Sequence, residues 1–252
     1  MFVIMKNALK ERLRRKELYI IVVIGILLFL VCSSDSATIT YEGEVLTGFK
    51  NMFMVLHTVI NAVGCLLGVV LSIRTIPNEY ERRNSHLIWV RGISQQTYHA
   101  GLTLANVLSS IFATLILYIM LIVFTLINGE GQTIVMLFAG FLLVAVNVGI
   151  TSLFSSVLSI VLPPAVTATM GIVLVIFGVF HGLLDVYRNI VGGLAGAILR
   201  MVLWVVPDLH GIQMQAQNLI LGKSVNIHLI LVGVLTLYIC SIGIVAFRRK
   251  EA

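Results

Sequence analysis

Charged residues are scarce in this sequence. Only 11% of its 252 residues are Asp, Glu, Lys or Arg, whereas 59% are hydrophobic and the mean hydropathy is +1.04. An average soluble domain has about 25% charged residues, so the composition excludes an ordinary soluble fold. The apolar residues form runs of about 20, long enough for transmembrane helices, rather than the alternating segments of about 10 typical of membrane barrels. The sequence therefore predicts an all-α integral membrane protein.

Cysteine is also rare, and its pattern argues against the common cysteine-based sites. Cys32, Cys65 and Cys240 lie in or beside apolar runs without CxxC spacing, which indicates packing residues rather than disulfides or zinc ligands. The six histidines are scattered, and no two are four residues apart. We therefore expect no metal site, and interpret the histidines as isolated hydrogen-bonding or interfacial residues.

The common motifs of ATP-binding and hydrolytic proteins are missing. The sequence has no Gly-x-x-x-x-Gly-Lys-Ser/Thr loop, so the chain has no evident ATPase site of its own. HExxH and Gly-x-Ser-x-Gly are missing too, which weakens the metalloprotease and serine protease interpretations. Two alternatives stay open: a small integral membrane enzyme acting on lipid or peptide, and a non-catalytic membrane anchor or sensor.

Long apolar runs predict six membrane-spanning helices. They cover Leu18–Cys32 and residues 52–73, 100–127, 133–161, 164–184 and 225–247. The turn at Asn128–Gln132 and the pair Pro163-Pro164 separate neighbouring spans. No clean cleavage site follows the first run, so we expect an uncleaved span rather than a signal peptide.

A seventh apolar stretch, residues 190–206, is not counted as a span because of where the basic residues lie. With six spans, the N-terminal segment, residues 74–98 and the C-terminal tail share one side and contain 13 of the 17 Lys and Arg residues. The positive-inside rule makes that side, with both termini, cytoplasmic. Residues 185–223 are then external, and 190–206 is expected to form a re-entrant or interfacial helix. The net charge of +6 thus reflects topology and does not require nucleic-acid binding.

The N-terminal residues are predicted to lie on the membrane surface. Within residues 1–17, Leu9 and Leu13 are four apart among six basic residues, a pattern typical of an interfacial helix on an anionic leaflet. No soluble domain of useful size accompanies the spans, so residues 1–252 are interpreted as one transmembrane domain.

The polar segment 74–99 contains a second predicted surface helix. Asn78 is a candidate N-cap, and Glu81 stands three residues later in capping-box position. Gly92 follows as a helix stop. We therefore expect a short helix over residues 79–91 on the cytoplasmic side.

A few polar residues lie inside the predicted spans. The pathway candidates are His57, Asn61, Asn106 and Asn147. A substrate pathway would need some of them to face an interior. The alternative is that they make hydrogen bonds between packed helices.

A second group of candidates lies on the external side. His181 and Asp185 could pair at helical spacing, either as a structural cap or as part of a gate. Arg200 would be costly if it faced lipid. The external gate candidates are His181, Asp185, Arg200, Trp204 and Pro207.

This arrangement resembles the permeases of the type-2 ABC exporter (ABC-2) family. The resemblance covers nearly the whole chain as architecture: an amphipathic N-terminal helix, six spans, a cytoplasmic coupling helix after the second span and an external re-entrant hairpin before the sixth. The stretches that carry it in sequence are Glu79, Arg82–Val90, Ile93-Ser94 and Val206-Pro207-Asp208-Leu209. Asn84-Ser85 and Gly92 depart from the family pattern, in which Gly-Thr and proline are frequent.

The resemblance implies a mechanism and a set of partners. Two such permease subunits, identical or related, would enclose a path through the bilayer, and each would seat its coupling helix in one of two separate P-loop ATPase subunits. Those ATPases would bind ATP and Mg, while this chain holds no cofactor and is not itself an enzyme. The ATPase-coupling residues would be Glu79, Tyr80, Glu81, Arg82, Arg83, Leu87, Trp89 and Arg91. The alternative for this helix is a solvated loop whose charges only hold the topology.

The expected function is therefore export across a bacterial cell membrane. An amphipathic peptide, a drug or another hydrophobic substrate is compatible with inner faces that carry almost no charge. The direction of transport rests on the family resemblance alone.

Overall fold

The protein is a bundle of α-helices in a computed structural model, which describes residues 2–14, 21–23, 25–27, 30, 40–41, 44–45, 49–81, 92–129 and 134–247. The helices are α1 Phe2–Arg14, α2 Phe49–Ile73, α3 Thr75–Glu81, α4 Gln95–Ile127, α5 Ile134–Val161, α6 Pro164–Val179, α7 His181–Val191, α8 Gly193–Val205, α9 Leu209–Ile220 and α10 Ile227–Ala246. A small antiparallel pair, β1 Thr40–Tyr41 with β2 Glu44–Val45, precedes α2.

Several of these helices are long and apolar enough to cross a membrane. Among the described residues there are four: α2 with α3 over Asn51–Glu81, then α4, α5 and α10. The number rises to six if two bent pairs, α6 with α7 and α8 with α9, each count as one span. This architecture fits a multi-pass membrane protein. The four long helices coincide with the apolar runs at 52–73, 100–127, 133–161 and 225–247, whereas the predicted span Leu18–Cys32 falls mostly outside the described residues.

Prolines and glycines set the breaks between helices. Pro163 is extended and Pro164 begins α6, as the sequence predicts, because proline fits the first helical turn but cannot continue a helix. Gly192 and Gly193 both have a φ of +57°, a left-handed conformation that glycine adopts without steric cost. They therefore make the tight turn between α7 and α8.

The region that the sequence analysis predicts to be external differs from the prediction in its helices. The fifth span does not run straight to residue 184, because the chain bends by 69° at Phe180, between α6 and α7. The stretch 190–206 is not one helix, because it includes the end of α7, the glycine turn and α8. A further bend of 62° at Pro207 leads into α9, a helix that the hydropathy pattern did not indicate.

The first three residues of the predicted surface helix 79–91 belong to α3, which begins earlier, at Thr75. Asn78 is not its N-cap, because the Asn78 backbone N–H already donates to the Arg74 carbonyl at 3.0 Å inside α3. Pro77 has no N–H to donate to the Ile73 carbonyl, which accounts for the break between α2 and α3. Residues 82–91 lie outside the described residues. Gly92 has a φ of +75°, a left-handed conformation that glycine adopts without steric cost.

Helix α2 lies at the centre of the bundle and packs closely on α4 and α5. Gly64 and Gly68 make this approach possible. A Cβ atom added at Gly68 would lie 2.5 Å from Thr151 Oγ1 and 3.0 Å from the Val148 carbonyl oxygen of α5. Small residues allow helix backbones to approach in membrane proteins, where packing rather than hydrophobic burial drives helix association.

Helices α1 and α3, the start of α4 and the end of α10 share one end of the bundle. Ile4 and Ala8 of α1 pack against a cluster from α3, α4 and α5, formed by Ile76, Tyr98, Leu102 and Ile160. At the same end, Gln96 Nε2 of α4 donates to the Val245 carbonyl of α10 at 2.9 Å. We call this the basic end, defined by α1, α3, the first turn of α4 and the last turn of α10.

Candidate functional site

A layer of amide and hydroxyl side chains joins α2, α5 and α9 inside the bundle. Asn147 Nδ2 donates to Asn61 Oδ1 at 3.1 Å and to the Leu209 carbonyl at 2.9 Å. Asn61 Nδ2 donates in turn to Gln213 Oε1 at 3.4 Å, and Gln213 Nε2 to Thr58 Oγ1 at 2.6 Å. These side chains tie α9 to the two long helices. We call this set, with Gln217, the amide layer.

Gln217 extends the amide layer by one turn of α9. Its Nε2 donates to the Met54 carbonyl at 3.0 Å and to Thr58 Oγ1 at 3.2 Å. Asn61, Asn147, Gln213 and Gln217 are all buried. In a low-dielectric interior each unmet hydrogen bond is costly, so this set of mutual bonds holds α9 in place.

Two of the pathway candidates, Asn61 and Asn147, therefore meet in one layer, and His57 lies one turn away on α2. Asn106 does not belong to it. Its Nδ2 donates to Ser156 Oγ at 3.0 Å, and its Oδ1 accepts from Thr75 Oγ1 at 2.9 Å, closer to the basic end. All three asparagines thus make hydrogen bonds between helices, the alternative that the sequence left open.

Replacing Asn147 tests how much the amide layer contributes to stability. The Asn147→Ala variant would leave Asn61 Oδ1 buried without this donor and would remove the side-chain hydrogen bond to the Leu209 carbonyl. We expect a loss of about 1–3 kcal/mol in the free energy of unfolding, the usual cost of a buried polar group left unsatisfied. The measurement is unfolding of the detergent-solubilised chain by heat or denaturant. Asn7→Ala, at an exposed position of α1, is the control, and equal stability of the two variants would contradict the role given to Asn147.

At the basic end, two predicted coupling residues turn inward. Glu79 Oε2 accepts from the Tyr98 hydroxyl at 2.7 Å. The Tyr80 hydroxyl accepts from Gln95 Nε2 at 2.7 Å and lies 2.8 Å from His99 Nε2. Glu79 and Tyr80 are half-buried, so they fasten α3 to the start of α4.

Glu81 is the one described coupling candidate that is exposed. It is the last residue of α3 and therefore leads directly into the charged segment that follows. The other coupling candidates, Arg82, Arg83, Leu87, Trp89 and Arg91, lie outside the described residues.

The predicted pairing of His181 with Asp185 is wrong. Asp185 instead forms an ion pair with Arg188 one turn later, at 2.9 Å. His181 Nδ1 lies 3.5 Å from Asp208 Oδ1, and its Nε2 lies 3.3 Å from the Leu203 carbonyl oxygen. Asp208 also caps α9 by accepting from the Gly211 N–H at 2.7 Å. His181 therefore connects the bend before α7 to the bend before α9.

The remaining gate candidates are distributed differently. Pro207 marks the second bend and is half-buried, whereas Arg200 and Trp204 are exposed on α8, with Trp204 at 88% exposure. The structure brings neither of them to the His181–Asp208 contact. Among the described residues, no group of three His, Cys, Asp or Glu side chains is placed to hold a metal ion.

Comparisons with family models and with curated proteins do not identify this chain. No family model matches this sequence, and no curated protein matches it. The geometry above is therefore what supports any assignment of function.

Sequence reasoning missed three members of the amide layer, Thr58, Gln213 and Gln217. It also missed Tyr118, whose ring lies 5.9 Å from that of His57. The alternation of glutamines at 213, 215 and 217 makes residues 209–220 too polar for an ordinary span. The pair Pro207-Asp208 could have indicated the start of α9, because proline ends one helix and Asp is a preferred N-cap of the next.

Proposed function

We propose that this chain is a membrane-spanning permease subunit of a type-2 ABC exporter, which works with a separately encoded P-loop ATPase. The observation that carries the proposal is that α2 continues through α3 to an exposed Glu81 at the basic end. The charged segment 82–91 begins directly after it. A docking helix attached to a central membrane helix would transmit movement of an ATPase into the bundle.

The basic end is proposed to face the cytoplasm of a bacterial cell. Support comes from the sequence: the N-terminal segment, residues 74–98 and the C-terminal tail, which include or adjoin the helices of this end, contain 13 of the 17 Lys and Arg residues. Cytoplasmic loops are enriched in Lys and Arg. The chain has no phosphate-binding loop, so ATP and Mg would be bound by two ATPase subunits. A second permease subunit, identical or related, would complete the path.

An amphipathic peptide, a drug or another hydrophobic molecule is the proposed substrate class. Residues 51–73, 95–127, 134–161 and 209–220, which form the centre of the bundle, contain no Asp, Glu, Lys or Arg. An interior without ionisable carboxylates or ammonium groups suits a largely uncharged or amphipathic substrate better than an ion.

Purification in mild detergent tests the proposal. The tagged full-length chain is isolated from the membranes of its own cell, and bound proteins are identified by mass spectrometry. We expect a P-loop ATPase to co-purify, and Mg-dependent ATP hydrolysis to accompany it. A chain that purifies alone and by itself turns over a lipid or a peptide would contradict the proposal in favour of a membrane enzyme.

A further inference from the structure

His57 is a fully buried side chain with unused hydrogen-bonding capacity. It is 0% exposed on α2, and its ring lies between Phe53, at a centroid distance of 6.0 Å, and Tyr118, at 5.9 Å. Neither ring nitrogen has a hydrogen-bond partner among the residues that the structure describes. A neutral imidazole offers one donor and one acceptor, so both are unused.

Tyr118 of α4 repeats this situation beside His57. It is also 0% exposed, and its hydroxyl has no hydrogen-bond partner in the described part of the chain. The Tyr118 ring meets the His57 ring nearly edge-on, at 77°, and lies 5.1 Å from the Phe141 ring. A Cβ atom added at Gly140 would lie 3.3 Å from the Tyr118 hydroxyl oxygen. The same added atom would lie 2.6 Å from Ile220 Cδ1, so the glycine lets the Tyr118 hydroxyl and the Ile220 side chain both approach the α5 backbone.

The two groups require a partner, and its chemical class follows from their surroundings. About nine in ten buried polar groups in proteins are hydrogen-bonded. Residues 51–73, 95–127 and 134–161, which carry this pair and its neighbours, contain no Asp, Glu, Lys or Arg. An unpaired ion in such a place would lose its hydration without compensation. The partner is therefore neutral and able both to donate and to accept.

We propose that His57 and Tyr118 form a binding site for a neutral hydroxyl group between α2 and α4. The hydroxyl would bridge an imidazole nitrogen and the phenol oxygen, which do not bond to each other directly. Water and an alcohol-bearing solute have this chemistry in common. The inference rests on the geometry of the two rings and is independent of the proposed transport function.

Removing the phenol oxygen alone tests whether a hydroxyl is bound under the conditions of the measurement, first in detergent buffer and then with ethanol added. If the site holds a hydroxyl, Tyr118→Phe removes a hydrogen bond and lowers the melting temperature of the purified chain by about 2–4 °C, as expected for a loss of about 1 kcal/mol. If the phenol is simply unsatisfied, the same change removes a penalty and raises the melting temperature. Tyr238→Phe, at a position that is 63% exposed, is the matched control and should cause no shift.

A double-mutant cycle with His57→Phe tests the bridge itself. Phenylalanine keeps an aromatic ring at both positions, so the cycle isolates the polar groups from the ring contact. A bridging hydroxyl predicts that the double variant loses less than the sum of the two single losses. Shifts that stay additive both without and with an added alcohol would overturn the proposal.

The same cycle distinguishes the two sources of the hydroxyl. Measured in detergent buffer without added alcohol, non-additive losses assign the site to water. If the losses become non-additive only when ethanol is added as a probe, the site takes a hydroxyl from a solute. Additive losses in melting temperature under both conditions would contradict the proposed site.

Discussion

The Gly68→Ala variant is expected to be markedly less stable than the unmodified chain. The new methyl group would meet Thr151 Oγ1 at 2.5 Å, the Val148 carbonyl oxygen at 3.0 Å and the Ser152 backbone nitrogen at 3.3 Å. Two of these atoms belong to the α5 backbone and cannot move aside, so α2 and α5 would have to separate. Overpacking of this kind costs about 1–3 kcal/mol. The measurement is the midpoint of thermal unfolding in detergent.

Separation of the two helices would also stretch a hydrogen bond. Ser72 Oγ and Ser152 Oγ lie 2.9 Å apart across the same contact, and both are buried. Gly68→Val would place a still larger side chain in this contact, so we expect that no folded protein could be recovered.

Gly149→Ala is the matched control for this prediction. A Cβ atom there would meet Leu237 alone, with side-chain atoms at 3.0 Å and 3.9 Å, and the end of a leucine side chain can move. Alanine is also a better helix former than glycine by about 0.5–1 kcal/mol. Gly149→Ala should be close to neutral. Equal unfolding midpoints for the Gly68→Ala and Gly149→Ala variants would show that close packing of α2 on α5 does not determine the stability of the chain.

The long helices could be predicted from sequence because their apolar runs are bounded by residues with strong local preferences. Pro163-Pro164 and Asn128-Gly129 stop helices wherever they occur, since the proline ring and the left-handed glycine conformation act within one turn. Hydropathy alone then gives the lengths of α4, α5 and α10. The end of α2 is less clear, because α3 continues beyond it after a single residue, Arg74.

The region between the fifth and sixth predicted spans could not be predicted in the same way. Its bends depend on tertiary contacts, such as that between His181 and Asp208, which join residues far apart in the chain. Helix α9 is too polar for a hydropathy criterion, yet it is buried because its glutamines find partners on α2. The hydrogen bonds of its polar side chains, rather than apolar residues, allow α9 to be buried.

In the polar segment 74–99, the sequence predicts the helix but not how its side chains are buried. Charge and capping preferences indicated a helix near Glu79, but they could not distinguish an exposed carboxylate from one that accepts a hydrogen bond from Tyr98. Charge reversal at Glu79 would therefore disturb α3 itself. A sharper test of docking uses a residue of the segment 82–91 and leaves Glu79 and Tyr80 unchanged.

Replacing Trp89 by alanine is expected to weaken ATPase binding strongly. Trp89 is the large aromatic residue of the charged segment after Glu81, and buried tryptophans at protein interfaces typically contribute at least about 2 kcal/mol when removed. If the proposed ATPase docks at this segment, its affinity for the chain should fall by about thirtyfold or more. Membrane insertion should be unaffected, because the change lies between predicted spans.

The sequence offers its own control, since its second tryptophan is Trp204. Trp204 is exposed on α8, outside the basic end, so Trp204→Ala should leave ATPase binding unchanged. The decisive measurement is the amount of P-loop ATPase retained, with its Mg-dependent ATP hydrolysis, when the tagged Trp89→Ala and Trp204→Ala chains are purified side by side. The account predicts loss with the first variant and full retention with the second. Retention by Trp89→Ala equal to that of the unmodified chain would contradict docking at this segment.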